Sequence, residues 1–320
     1  MRALCAAACF GALLAAGLAH SQSYPSGNVR VVVPYPAGGP TDLIARLTAQ
    51  QLSETLGHQF YVENVPGASG ARGAALVAAA PADGQTLLCA TNDLAVTSTL
   101  STKIQYDPIK SFAPIGIASA SPSVLLVHPS VPATSVQELI ALVRAEPGKY
   151  SVATMSLGQN LLTSEKLFRL GLDLPIVRVP FSGAAPIITS TVAGHTPVAY
   201  IGLPAALAHI REGTLRALAV TSPHRSPIVP DVPTMAESGV EDQETELSIG
   251  LLAPAGTPRG VIELLSRNLA RIAGLPPFRQ RLAALAFTPV GSTPDEYSAQ
   301  IKGDIERWSK VVREAGIKVD

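Results

Sequence analysis

The sequence predicts an α/β protein with mostly parallel sheets arranged in two halves of similar plan. Three observations carry this expectation. Short β-branched runs alternate with helix-forming stretches along most of the chain, a pattern that needs crossover connections and hence parallel strands. Glycine-rich loops follow the strands and lead into helices, near residues 36–40 and 66–73 and again near 155–160 and 180–186. A length of 320 residues with 47% hydrophobic content supplies apolar surface for two cores.

Val29-Arg-Val-Val-Val33 is a run suited to a buried strand. Pro34 and Pro36 end it, because proline cannot donate to a ladder. Gly38 and Gly39 permit backbone conformations closed to other residues. A helix then starts near Pro40, with Thr41 and Asp42 in its electropositive first turn, and Gly57 stops it. Strand, glycine loop and helix start aim unpaired N–H groups at one point, which suits a small anion, carboxylate as readily as phosphate. A plain strand–helix turn is the competing reading. The loop lacks the Lys-Ser/Thr ending of a phosphate loop and is not Gly-x-Gly-x-x-Gly. Asp42 and Arg46, four apart, can simply pair along the helix.

Residues 59–64 form a short strand. The cluster Pro66-Gly67-Ala-Ser69-Gly70-Ala-Arg72-Gly73 either cradles an anion or lets helix and sheet pack closely. It leads into a helix over 74–80. Thr86-Leu-Leu-Cys-Ala90 is the next strand, with Cys89 buried, and it ends at Thr91-Asn92-Asp93. Parallel strands place ligands beyond their carboxyl ends. Residues 112–117 and 123–127 read as two strand pieces joined by 118–122, taken as the first crossing between halves. Ser135 caps a helix over 135–145 with Glu138 as its capping-box partner. Residues 150–154 are a strand, followed by a third loop with Ser156, Gly158 and Gln159 and a helix to Leu170. Residues 176–179 are a strand leading to Phe181-Ser182-Gly183-Ala184-Ala185-Pro186 and another helix, and 215–220 is a strand. Residues 247–253 are the expected return crossing. The tail is helical, with Thr293-Pro294-Asp295-Glu296 as a capping box and Tyr297, Ile301, Ile305, Trp308 and Val312 as an apolar stripe.

Met1 to Ser21 reads as a secretory signal: Arg2, an apolar stretch, and small residues for cleavage near Ala19 or Ser21. Its removal leaves Cys89 alone, so no internal disulfide is expected. The 24 Lys plus Arg equal the 24 Asp plus Glu, which leaves no basic footprint for nucleic acid. There is no Gly-x-Ser-x-Gly elbow, no His-Glu-x-x-His and no cysteine–histidine cluster with metal spacing. The histidines are scattered, and His209 reads as a helix-end residue. No enzyme chemistry, metal or cofactor is expected.

Laid out in this order, the chain resembles the solute-binding receptors of the tripartite tricarboxylate transporter family, the Bug receptors, from about Tyr24 to Asp320. The likeness rests on Pro36-Ala-Gly-Gly-x-x-Asp42, Val62-Glu-Asn-x-Pro-Gly67, Asp107-Pro-x-Lys-x-Phe-Ala-Pro114, Leu215-Arg-Ala-Leu-Ala-Val-Thr-Ser222, Pro230-Asp-Val-Pro-Thr-Met-Ala-Glu-Ser-Gly239 and Leu252-Ala-Pro-Ala-Gly-Thr-Pro258. It implies a type II-like, two-lobed periplasmic binding-protein fold whose lobes close over a carboxylate. One lobe is expected from 22–120 with 250–320, the other from 121–249. The resemblance implies a ligand site built from Tyr35, Pro36, Ala37, Gly38, Gly39 and Asp42 in the first loop. Ser69, Gly70, Thr91 and Asn92 join it from the same lobe. The facing lobe is expected to contribute Ser156, Gly158, Gln159, Phe181, Ser182, Gly183, Ala184, Ala185, Ile201 and Gly202. Where relatives carry a histidine, serine or threonine, Tyr-Lys-Gly and acidic residues, this chain has, respectively, Leu162, Gln159, Phe181-Ser182-Gly183, and Pro197 and Ile201. Those departures predict a monocarboxylate with an apolar or aromatic body ahead of glutamate, aspartate or citrate.

The expected role is a periplasmic receptor, exported by its signal peptide, that delivers a small organic carboxylate to the membrane permease subunits of a tripartite tricarboxylate transporter. It is expected to be a monomer. Weighed beside it are a sensor of the same fold signalling to a membrane kinase, a secreted hydrolase, and an orphan receptor that shares a permease.

Overall fold

The computed structural model describes residues 24–156 and 158–317; the secretory-signal reading of residues 1–21 lies outside them. β1 (Val29–Val33) enters the fold through the loop predicted for it and continues into α1 (Pro40–Leu56). Gly57 ends α1 at φ 72, donating its N–H to the Ser53 carbonyl. There follow β2 (Phe60–Asn64), α2 (Ala71–Ala78), β3 (Thr86–Thr91), α3 (Asp93–Leu100) and β4 (Phe112–Val127). The middle of the chain supplies α4 (Val136–Ala145), β5 (Ser151–Met155) and α5 (Gly158–Ser164), which widens into a π-helical turn over Glu165–Gly171. Next come β6 (Val177–Phe181), α6 (Ala184–Val192), β7 (Val198–Gly202), α7 (Leu203–Arg211) and β8 (Arg216–Val220). The remainder is β9 (Glu246–Pro254), α8 (Arg259–Gly274), α9 (Pro276–Ala284), β10 (Thr288–Pro289) and α10 (Pro294–Glu314).

The strands make one sheet in the order β2-β1-β3-β9-β4-β7-β5-β6, with β8 and β10 also paired to β4. β1 runs parallel to β2 and β3, and β9 runs antiparallel to both β3 and β4. In this half β1 to β4 therefore share one direction, against β9 and β10. In the other half β5 is parallel to β6 and β7, while β4 runs against β7 and β8. Each half is thus mostly parallel around a reversed strand, the alternation of strand and helix having forced the crossovers.

β4 joins the halves. It is one 16-residue strand, where two pieces were expected. Residues 112–122 pair with β9 and residues 123–127 with β7 and β8. Register shifts along it, between Pro114 and Gly116, Ile117 and Ser119, and Leu125 and Leu126, mark irregularities of the kind that add twist. The ladder can therefore pass from one half to the other without a break. On the return path, the Thr245 N–H still bonds the Thr221 carbonyl of the second half, and Glu246 already pairs with Pro122.

Buried strands show both faces to helices. Val31, Val33 and Leu87 face Ile44 and Leu52 of α1 and Leu265 and Leu269 of α8. Val32 and Leu88 face Val77 of α2, Leu94 of α3 and Tyr297 and Ile301 of α10. In the second half α4 and the π-turn cover one face and α6 and α7 the other. This accounts for near-continuous hydrophobic strands. Cys89 is buried in β3, where burial and the charge of Asp42 push its thiol up to about 12. α10 begins with the expected capping box: Thr293 Oγ1 accepts the Glu296 N–H, and the Glu296 carboxylate accepts the Thr293 N–H. α4 completes only half of its box. Ser135 Oγ accepts the Glu138 N–H at 3.2 Å, but Glu138 turns its carboxylate to the N–H and hydroxyl of Thr134. α10 runs past the boundary between halves, where Trp308, Val311 and Val312 pack with Val96 of α3 and Leu162 of α5.

Candidate functional site

The first loop is organised by Asp42. The residue is 2% exposed in the first turn of α1. The carboxylate accepts the Gly38 N–H at 2.9 Å, Arg46 Nε at 3.0 Å and Asn64 Nδ2 at 2.9 Å. Burial works to raise this carboxyl, but the bonds from Arg46, Gly38 and Asn64 outweigh it and hold it below its ordinary value. One loop N–H is therefore already occupied from within. The left-handed position is Gly38, at φ 83, whereas Gly39 has φ −74 and caps α1 in an extended conformation. Pro36, Ala37 and Gly38 form an exposed rim. Tyr35 turns inward, its hydroxyl 2.7 Å from Thr91 Oγ1. Burial and the nearby Asp93 charge raise its phenol.

The second loop is wound the opposite way to a normal helix start. Gly67, Ala68, Ser69 and Gly70 have φ of 140, 47, 52 and 93. For alanine and serine this conformation costs on the order of 1–3 kcal/mol each, so the turn is held by its surroundings. A Cβ at Gly70 would stand 3.3 Å from the Tyr35 ring, so the loop packs tightly on the aromatic side chain. The turn delivers the N-terminus of α2, with Ala71 and Arg72, to the same space.

The facing half contributes the ends of β5 and β6. Ser156 donates its N–H to the Phe181 carbonyl at 2.9 Å, which brings Ser156 and Ser182 together. Gly158 and Gln159 open α5. Across the cleft, the Gln159 N–H donates to Asp93 Oδ1 at 3.0 Å, and its side-chain amide donates to Thr245 Oγ1 and to the Glu246 carbonyl at the return crossing.

Between these parts lies a cavity of about 1150 Å3. The first half lines it with Tyr35, Ser69, Ala71, Arg72, Asp93, Thr97, Leu100 and Lys103, and the second with Met155, Ser156, Gly158 and Ser182. The walls offer two cations, several hydroxyls and apolar surface, which suits a small polar organic molecule. Of the residues expected from sequence, Tyr35, Ser69, Ser156, Gly158 and Ser182 line this space. Gly39, Asp42, Gly70 and Thr91 support the loops around it. Asn92 turns to the crossing, donating to the Glu246 carbonyl at 3.0 Å. Gly183 precedes α6, Ala184 and Ala185 form its first turn, and Gly202 precedes α7. Ile201 is buried in the second core, and Phe181 packs partly buried against the same core.

Of the side chains behind the monocarboxylate expectation, Ser182 lines the cavity, while Leu162, Phe181, Pro197 and Ile201 do not. Leu162 is fully buried beside Trp308, Ile201 lies in the core, and Pro197 sits before β7, its carbonyl accepting the His128 N–H. Their apolar character serves packing. Arg72, Asp93 and Lys103 line the cavity instead. The first is legible as the one cation of the second loop, but Asp93 and Lys103 depend on α3, which the sequence pattern did not reveal.

Comparison with known proteins gives the family and the fold. Residues 44–317 match the family described as tripartite tricarboxylate transporter family receptor. Protein BugT of Bordetella pertussis is 35% identical over 301 residues, covering 93% of this chain and 92% of that protein. Rpa4515 of R. palustris, solved with adipate, is 34% identical with a TM-score of 0.78, covering 92% of this chain and 98% of the other. MatC (Rpa3494) from Rhodopseudomonas palustris, with bound malate, is 31% identical with a TM-score of 0.74 over 90% of this chain and all of the other.

Proposed function

This chain belongs to the tripartite tricarboxylate transporter receptor family, and from that premise we propose that it captures a small organic carboxylate between its two halves in the periplasm and hands it to membrane permease subunits. The observation that carries the reading is the cavity of about 1150 Å3, walled from both halves and bearing Arg72, Lys103 and the hydroxyls of Ser69, Ser156 and Ser182. A carboxylate entering it gains charge-assisted bonds that strengthen as closure excludes water. Adipate and malate in two relatives support the ligand class. Export by the N-terminal signal and work as a monomer complete the proposal.

Closure follows from the connections. β4, the Thr245–Glu246 return and α10 join the halves, and a ligand touching both favours the closed form. Native mass spectrometry of protein purified without refolding, followed by thermal-shift measurement on a carboxylate panel, tests the reading. Stabilisation should follow RT ln(1 + [L]/Kd), about 2.7 kcal/mol at a hundredfold excess over Kd. A panel of mono-, di- and tricarboxylates that leaves the melting temperature unmoved would reject it.

A further inference from the structure

The cavity wall holds one charge that carboxylate capture does not use. Asp93 occupies the first position of α3, and its Oδ1 takes the Gln159 N–H from the opposite half at 3.0 Å. The fit is close. Gly158 has φ 78, and a Cβ there would come within 3.1 Å of the same carboxylate oxygen. Burial raises the Asp93 carboxyl, while bonds with Gln159 and Thr91 lower it. Among the described residues, no ion pair joins Asp93 to a lysine, arginine or histidine.

A helix-start role explains an acid in a first turn. It does not explain an acid set into the wall of an anion-binding cavity and fastened to the facing half. There Asp93 repels a second carboxylate and leaves its own charge without a counter-ion when water is excluded. Arg72 and Lys103 answer the charge of a ligand carboxylate; nothing equivalent answers Asp93. We propose that Asp93 is a specificity-determining residue, selecting a carboxylate that also carries an ammonium group, which docks on Asp93 as the cleft closes.

The inference rests on the carboxylate-receptor reading, and the test separates the two. Isothermal titration of the full mature protein is run with matched pairs: succinate and aspartate, glutarate and glutamate, butyrate and 4-aminobutyrate. The amino member of at least one pair should bind roughly tenfold tighter or more, the scale of a charge-assisted bond. In Asp93→Asn that preference should vanish, the amino member of each pair losing its advantage over the amine-free member. Asp93→Ser should behave alike, and circular dichroism of both variants checks the fold. Amine-free acids binding better in every pair, or an amino preference surviving both substitutions, overturns the assignment. The second result would leave Asp93 as a tether between halves. If no acid of either kind binds, the receptor reading fails and this inference with it.

Discussion

Replacing Asp304 by asparagine should stabilise the protein near neutral pH. Asp304 lies on α10, 9% exposed, beside a small cavity of about 270 Å3 at the crossing between halves. Burial pushes its carboxyl up to about 6 from 3.8, against the opposing influences of Arg307, Gln300 and Asn92. Its Oδ2 and the Oδ1 of Asn92 are both buried without a hydrogen-bond partner. The folded state thus holds a proton on Asp304 more tightly than the unfolded chain does. Its contribution favours folding at low pH and is lost as pH rises from about 4 through 6, where the folded form must carry a buried anion. At about 1.36 kcal/mol per pKa unit, the difference amounts to on the order of 3 kcal/mol. Asparagine removes the ionisation and brings an N–H donor toward the orphaned oxygen of Asn92. Urea denaturation of both proteins between pH 4 and 8 reads the effect, since groups common to both cancel. The asparagine variant should gain on wild type as pH rises through 6 and then hold a constant lead. A gap that does not change with pH, or a variant less stable throughout, would show that Arg307 and Gln300 keep Asp304 comfortably ionised and would refute the reasoning.

Asp42→Ala should destabilise the protein by about 1–3 kcal/mol, because it strands the Gly38 N–H, Arg46 and Asn64. Asp42 titrates below its ordinary value, so its stabilisation is present above that value and is lost as pH falls through the lowered one; the gap from wild type in denaturant should close in acid, and one that widens there would contradict the assignment. Trp308→Ala should cost roughly 3–5 kcal/mol, since the ring is fully buried among Val96, Leu162 and Val312, and urea midpoints would show it. A loss below about 1 kcal/mol would mean that α10 does not bind the halves together.

Much of this fold is legible in the chain because its signals are local. β-branched runs, proline at Pro40 and Pro294, glycine at Gly57 and the Thr293–Glu296 box each specify backbone geometry within a few residues, and α1 begins and ends, and α10 begins, where those residues require. α3 was hidden for the opposite reason. Asp93-Leu-Ala-Val-Thr-Ser-Thr-Leu100 is rich in β-branched residues and lacks a clear polar stripe. Its helix is set by tertiary contacts, with Leu94, Ala95 and Val96 buried against β3, α10 and α5. The unbroken β4 is hidden too: the small residues 118–121 and Pro122 read as a joint, yet Pro122 sits in the ladder opposite Glu246.

The site divides along the same line. Loops with their own grammar, such as Pro36-Ala-Gly-Gly39 and Gly67-Ala-Ser-Gly70, announce themselves, and they set the edge of the sheet where the cavity forms. Which side chains then enter the cavity is decided by helix rotation and by contacts far apart in sequence. Leu162 sits in a position that reads as pocket wall, but α5 turns it onto Trp308, more than a hundred residues away in the chain. Asp93 reads as the tail of a strand, but α3 turns it toward Gln159 across the cleft. A polar residue exchanged for an apolar one is therefore ambiguous between a changed ligand and a changed core. At Leu162 and Ile201 the change belongs to the core, and the charged side chains that line the cavity are Arg72, Asp93 and Lys103.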